Sequence, residues 1–93
     1  MEYVDRLAEE AVKEAINSLM ASGQRAYSGS VPREAQRILM RNGRGRVSAA
    51  VAAAKVDQAV ARLRERREIK APPARQHDWV VLGHPTPPPA ASS

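Results

Sequence analysis

The chain has 93 residues and a formal net charge of +5, the size of one small domain. It contains no cysteine, which excludes disulfide staples and cysteine-ligated zinc. No apolar run approaches the ~20 residues of a membrane span.

Four acids, Glu2, Asp5, Glu9 and Glu10, open the chain, unlike a signal peptide, so a soluble cytoplasmic protein is expected. His77 and His84, with Asp78 as the one nearby carboxylate, form a poor metal set, and no cofactor is expected. The 43% hydrophobic content overstates the material for a core, because seventeen of those residues are alanine and none is phenylalanine. Each large aliphatic side chain buried contributes ~1.5–3 kcal/mol, so a thin core follows.

Charge is unevenly spread. Residues 1–22 carry −3, residues 23–75 carry +9 and residues 76–93 carry −1. Twelve of the fifteen bases are arginine, the side chain suited to bidentate phosphate and guanine contacts. A basic middle of this kind points to a polyanion partner.

The first element is an amphipathic helix over about 3–22. Val4, Leu7, Ala8, Ala11, Val12, Ala15, Ile16, Leu19 and Met20 follow i, i+3, i+4, i+7 spacing. Arg6, Glu9, Glu10, Lys13, Glu14 and Asn17 take the other face, with Glu9 and Lys13 spaced for an i, i+4 pair. Gly23 is a natural stop. Residues 24–30 read as a connector with a weak strand signal at Arg25–Ser28. Ser30 is placed to cap a second helix, with Pro32 in its first turn, where a missing N–H costs nothing. Val31, Ala35, Ile38 and Leu39 give that helix its apolar face, Arg33, Arg37 and Arg41 form a four-spaced stripe, and Asn42-Gly43 ends it.

Gly43-Arg44-Gly45-Arg46 is a basic connection. Ser48 then caps a third helix to about Arg67, with Ala49, Ala52, Ala53, Val56, Ala59, Val60 and Leu63 on one face. Val51, Lys55, Gln58 and Arg62 share the approximately opposite stripe. A shorter middle helix at Ser48–Ala54, with the last helix starting near Val56, is an alternative register that leaves almost no residues for a turn. Glu68–Ala71 and His77–Leu82 read as two strands, Pro72-Pro73 forcing a turn between them. Trp79 and the two tyrosines, Tyr3 and Tyr27, are expected to pack. Residues 84–93, HPTPPPAASS, have nothing to bury and read as a disordered or polyproline-like tail after a domain at 1–83.

Helix, connector, helix, turn, longer helix, strand, loop, strand, with VDQAVARLRERREIKAPPARQHDWVVLG at its end, resembles a winged helix-turn-helix domain over about 3–83. The resemblance rests on an AVxxLxxRxEI helix end running into a strand closed by WVVLG. It implies an α+β, mostly helical fold, three helices followed by a β-hairpin wing, and a sequence-specific regulator that binds double-stranded DNA. The third helix would then lie in the major groove. Ser48, Val51, Lys55, Gln58 and Arg62 would meet bases or phosphates there, Gln58 suiting adenine and Val51 a thymine methyl. Arg33, Arg37, Arg41, Arg44 and Arg46 would contact phosphates beside the groove. Lys70, Arg75, Gln76 and His77 would sit on the wing.

The bland alternatives are a solvated basic surface and a wing without contacts. The first helix has an apolar stripe that could serve a homodimer, although the core needs the same stripe. The other reading kept open is a protein-interaction module docking on an acidic partner. RNA ranks lower, for want of interleaved exposed aromatics. No nucleophile pattern or phosphate-binding glycine loop accompanies the histidines, so neither catalysis nor a small-molecule substrate is expected.

Overall fold

A computed structural model describes residues 2–27, 29–70 and 79–82. Its elements are helix α1 (Glu2–Ala21), α2 (Ser30–Asn42) and α3 (Ala49–Glu65), then strands β1 (Ile69–Lys70) and β2 (Val80–Val81). The two strands pair antiparallel, with Ile69 opposite Val81 and Lys70 opposite Val80. The expected order of three helices and a hairpin is observed, and α3 runs unbroken through Ala54, which removes the alternative register. Among the described residues no helix is long and apolar enough to cross a membrane.

One buried cluster joins all three helices to the hairpin. Its large members are Val12, Ile16, Val31, Ile38, Leu39, Val56 and Leu63, each under 2% exposed, with Ile69 and Trp79 closing the hairpin side. Alanines fill much of the remainder, including Ala8, Ala11 and Ala15 on α1 and Ala52 and Ala59 on α3. Small contact residues let helix axes approach toward the short end of the usual 8–10 Å range. The apolar stripe of α1 is therefore spent within its own chain. Tyr3, expected to pack, is 71% exposed, because it lies on the far side of α1 from that stripe.

Helix ends show which local signals were read correctly. Gly23 (φ +80) closes α1 with Gln24 N–H donating to Leu19 O at 2.9 Å and Gly23 N–H to Met20 O at 3.1 Å, a Schellman motif. Ser48 caps α3, its Oγ accepting from Val51 N at 3.2 Å. Ser30 does not cap α2. It lies within the helix, with Gly29 at the cap position, and its Oγ accepts from Tyr27 N at 3.0 Å and lies 3.0 Å from Arg25 O, organising the connector instead. That connector forms no strand among the described residues, yet Ala26 O accepts from Trp79 N at 2.5 Å and so borders the start of β2. Helix α3 stops at Glu65, two residues before its expected end, because Arg67 turns left-handed.

Candidate nucleic-acid interface

Helix α2 buries Val31, Ala35, Ile38 and Leu39, which turns Arg33, Arg37 and Met40 outward. Arg41, on the flank of that ridge, reaches α1, with Nη2 3.3 Å from Glu14 Oε2. Arg37 forks onto Glu34 one turn back, and that contact raises the guanidinium's already high pKa. Such exposed pairs contribute little to stability, and they leave both guanidiniums at the surface. An open cleft of about 730 Å³ lies between the end of α1, the connector and the start of α2, with Tyr27, Arg33 and Glu34 among its lining.

The α2–α3 connection is built around a close approach. Gly43 N–H donates to Leu39 O at 2.8 Å, and a Cβ on Gly43 would come within 2.6 Å of the Val47 Cγ2. Val47 is 5% exposed and fills the inside of the turn. The chain then needs left-handed backbone at two successive residues, Arg44 (φ +54) and Gly45 (φ +82). Arg44 and Arg46 end up exposed, and neither has an ion-pair partner among the described residues. They stand immediately before the Ser48-capped start of α3.

The stripe expected to be an open reading face on α3 is divided. Val51 is 44% exposed and Gln58 is exposed. Lys55 and Arg62 instead lean on α1: Lys55 Nζ lies 2.9 Å from Asp5 Oδ1, and Arg62 Nε donates to Glu9 Oε2 at 2.7 Å. Their side chains keep only 23% and 33% exposure. The reason is helical phase: Ala52, Val56, Ala59 and Leu63 set the buried direction, and Lys55 and Arg62 lie beside it rather than opposite. From Ala49 to Ala61 the exposed residues are Ala49, Ala50, Val51, Ala54, Asp57, Gln58 and Ala61, a stretch without a cation that ends at the exposed Arg64.

This pairing extends to the hairpin. Arg66 donates to Glu9 Oε1 at 2.7 Å and to Glu68 Oε2 at 2.8 Å, while Lys13 Nζ lies 2.6 Å from Glu68 Oε1. Glu9 and Lys13 are thus engaged with other elements rather than as a pair along α1. Hydrogen bonds from Arg66 and then Lys13 pull the Glu68 carboxyl down to about 2. Bonds from Arg66 and Arg62 hold Glu9 below its ordinary range against the opposing effect of burial. Contact with Lys55 does the same for Asp5. The acidic first helix is therefore the counter-charge of the third.

Lys70 is exposed on β1, while Arg75, Gln76 and His77 lie outside the described residues. Arg64 and Arg67, which the sequence pattern did not single out, are exposed at the far end of α3. Nothing in the sequence around Arg67 marks a left-handed residue, since glycine is the usual signal. The structure thus leaves Arg33, Arg37, Arg44 and Arg46 exposed along α2 and its turn, leaves Ser48, Val51 and Gln58 exposed at and along α3, and ties Lys55 and Arg62 to α1. No protein-family model, curated protein or solved structure matches this chain.

Proposed function

We propose that the chain is a winged-helix protein that binds double-stranded DNA and acts as a sequence-specific regulator. Helix α2 and the α2–α3 turn would meet phosphates, and the N-terminal half of α3 would enter the major groove. The observation that carries this reading is the pair of exposed arginines, Arg44 and Arg46, without an ion-pair partner among the described residues, at the entrance to a capped helix that presents Val51 and Gln58. Phosphate contacts would come from Arg33, Arg37, Arg44 and Arg46, with Arg41 at the margin and the exposed Lys70 on the hairpin. Base contacts would come from Val51 and Gln58. Lys55 and Arg62 become orienting residues that fix α3 against α1 through Asp5 and Glu9.

A second reading, docking on a protein surface, is favoured by one observation: the exposed face of α3 from Ala49 to Ala61 is alanine-rich and carries no cation. Fluorescence anisotropy separates the two. A random-sequence duplex and an equally charged single strand are titrated against salt. Duplex preference, with log K falling steeply against log[salt], is expected for the DNA reading. No binding even near about 50 mM salt would refute it and leave the protein-docking reading.

A further inference from the structure

Helix α3 ends with the same hydrogen bonds as α1 but with a different residue at the critical position. Glu68 N–H donates to Leu63 O at 2.8 Å and Arg67 N–H donates to Arg64 O at 3.0 Å, so Arg67 occupies the place that Gly23 holds after α1. Its φ is +59. A side chain at a left-handed position is disfavoured where glycine is not, so the chain carries an arginine where its own first helix uses the stress-free residue. Local electrostatics do not account for it. The nearest carboxylate, Glu68, is already taken by Lys13 and Arg66, and Arg67 has no ion-pair partner among the described residues.

Two more exposed cations share this corner. Arg64 is on the outward side of the last turn of α3, and Lys70 faces away from the core because its neighbour Ile69 is 3% exposed and faces in. Glu65 is the one nearby acid not held in an ion pair among the described residues. The opposite end of α3 repeats the pattern, with Arg44 (φ +54) left-handed, exposed and without an ion-pair partner among the described residues. Between these ends the 17-residue helix is ~25 Å long, and from Ala49 to Ala61 its exposed residues include no cation and one acid, Asp57. The major groove is ~12 Å wide, so a rod of that length laid across it overlaps the sugar-phosphate strand on each side.

We infer that Arg67, with Arg64 and Lys70, forms a second phosphate-contact site, so that α3 crosses the groove with cations over both strands and a cation-free, alanine-rich face between them. This rests on the duplex-binding reading above and adds to it a site at the far end of the helix. Specificity then falls to the small outward side chains and Gln58, because the cations at the ends read backbone rather than bases.

The test uses the full chain and one 20-base-pair mixed-sequence duplex in salt-titrated anisotropy. Wild type is compared with Arg67→Gly, Arg67→Lys, Arg44→Gly and the double glycine variant. Glycine suits both backbones, so urea midpoints at or above the wild-type value are expected, and lost binding cannot be ascribed to unfolding. The slope of log K against log[salt] should fall by about 0.9 for each glycine variant and about 1.8 for both, with Arg67→Lys near wild type. Weakened binding by Arg44→Gly with an unchanged slope for Arg67→Gly would overturn the second site while leaving the duplex reading intact. Absence of duplex binding by the wild type would overturn both.

Discussion

The close approach at the α2–α3 turn makes a sharp prediction. Gly43 has φ −79 and ψ −3, a backbone open to any residue, so Gly43→Ala carries no conformational penalty and on its own would stabilise by ~0.4–1 kcal/mol. The new methyl, however, would lie 2.6 Å from Val47 Cγ2 and 3.1 Å from Leu39 O. Carbon atoms prefer ~3.5–4.0 Å, so the valine methyl must move by about 1 Å. Val47 is buried, β-branched and stiff, and the Leu39 carbonyl belongs to the helix. Overpacking of this kind costs ~1–3 kcal/mol, leaving Gly43→Ala destabilised by ~1–2 kcal/mol. Val47→Ala removes the closest contact, that with Cγ2, at its own cost of ~1.5–2.5 kcal/mol for two methyl groups and some residual void. With only Leu39 O at 3.1 Å and the residue 47 Cβ at 3.3 Å still close, adding Gly43→Ala to Val47→Ala should cost little, so the cycle should show a coupling of ~1–2 kcal/mol. Urea unfolding followed by the fluorescence of Trp79, the one tryptophan and 6% exposed, measures all four proteins. With a slope of ~1 kcal/mol/M for so small a domain, the single variant should lose ~1–2 M in midpoint. A wild-type midpoint for Gly43→Ala, or a coupling under ~0.5 kcal/mol, would refute the steric account.

Other variants address the caps and the counter-charge. Gly23→Ala should lose ~1 kcal/mol in urea unfolding purely from its left-handed φ, because nothing lies within 4 Å of the added methyl. Ser48→Ala should lose ~1 kcal/mol with the cap to Val51 N, whereas Ser48→Asp should keep the stability yet weaken duplex binding in anisotropy, by setting a negative charge beside Arg46. Glu9→Gln should lose ~1 kcal/mol at pH 7, a value kept small because its partners remain partly exposed. The folded-state pKa of Glu9 lies below its unfolded value of ~4.3, so its contribution is present above pH ~4.3 and disappears as pH falls through the folded value. Urea midpoints of the wild type and Glu9→Gln, measured from pH 7 downward, should therefore converge in acid.

Periodicity located the three helices because each one buries a single face whose spacing is written in consecutive residues. Val31, Ala35, Ile38 and Leu39 on α2 are an example: all four are buried as their spacing requires. Trp79 and Ser48 were legible for similarly local reasons, a large apolar surface and a short side chain before a helix. Ser30 was misread because the competing acceptor role toward Tyr27 N depends on the shape of the connector. The charge pattern was legible in amount but not in partnership. Glu9 meets Arg62 and Arg66 across separations of 53 and 57 residues, a fact of packing that no window along the chain contains. For the same reason the stripe of Val51, Lys55, Gln58 and Arg62 on α3 could be drawn without knowing that α1 would cover one side of it.

If the proposed duplex-binding reading holds, the counter-charge on α1 also bears on how the chain would discriminate among polyanions. Residues 23–93 alone carry +8, and the first helix returns the whole to +5 while tying down cations of α3 directly. Attraction that depends on total charge is indifferent to what the polyanion is, and every carboxylate that lowers it makes fit a larger share of the remaining affinity. A fragment beginning at the connector would be stickier and less choosy, as well as missing part of its core. In this architecture the acidic helix is a fixed set of counterions carried within the chain, and on that reading it would set the threshold above which a surface must match in shape to be held.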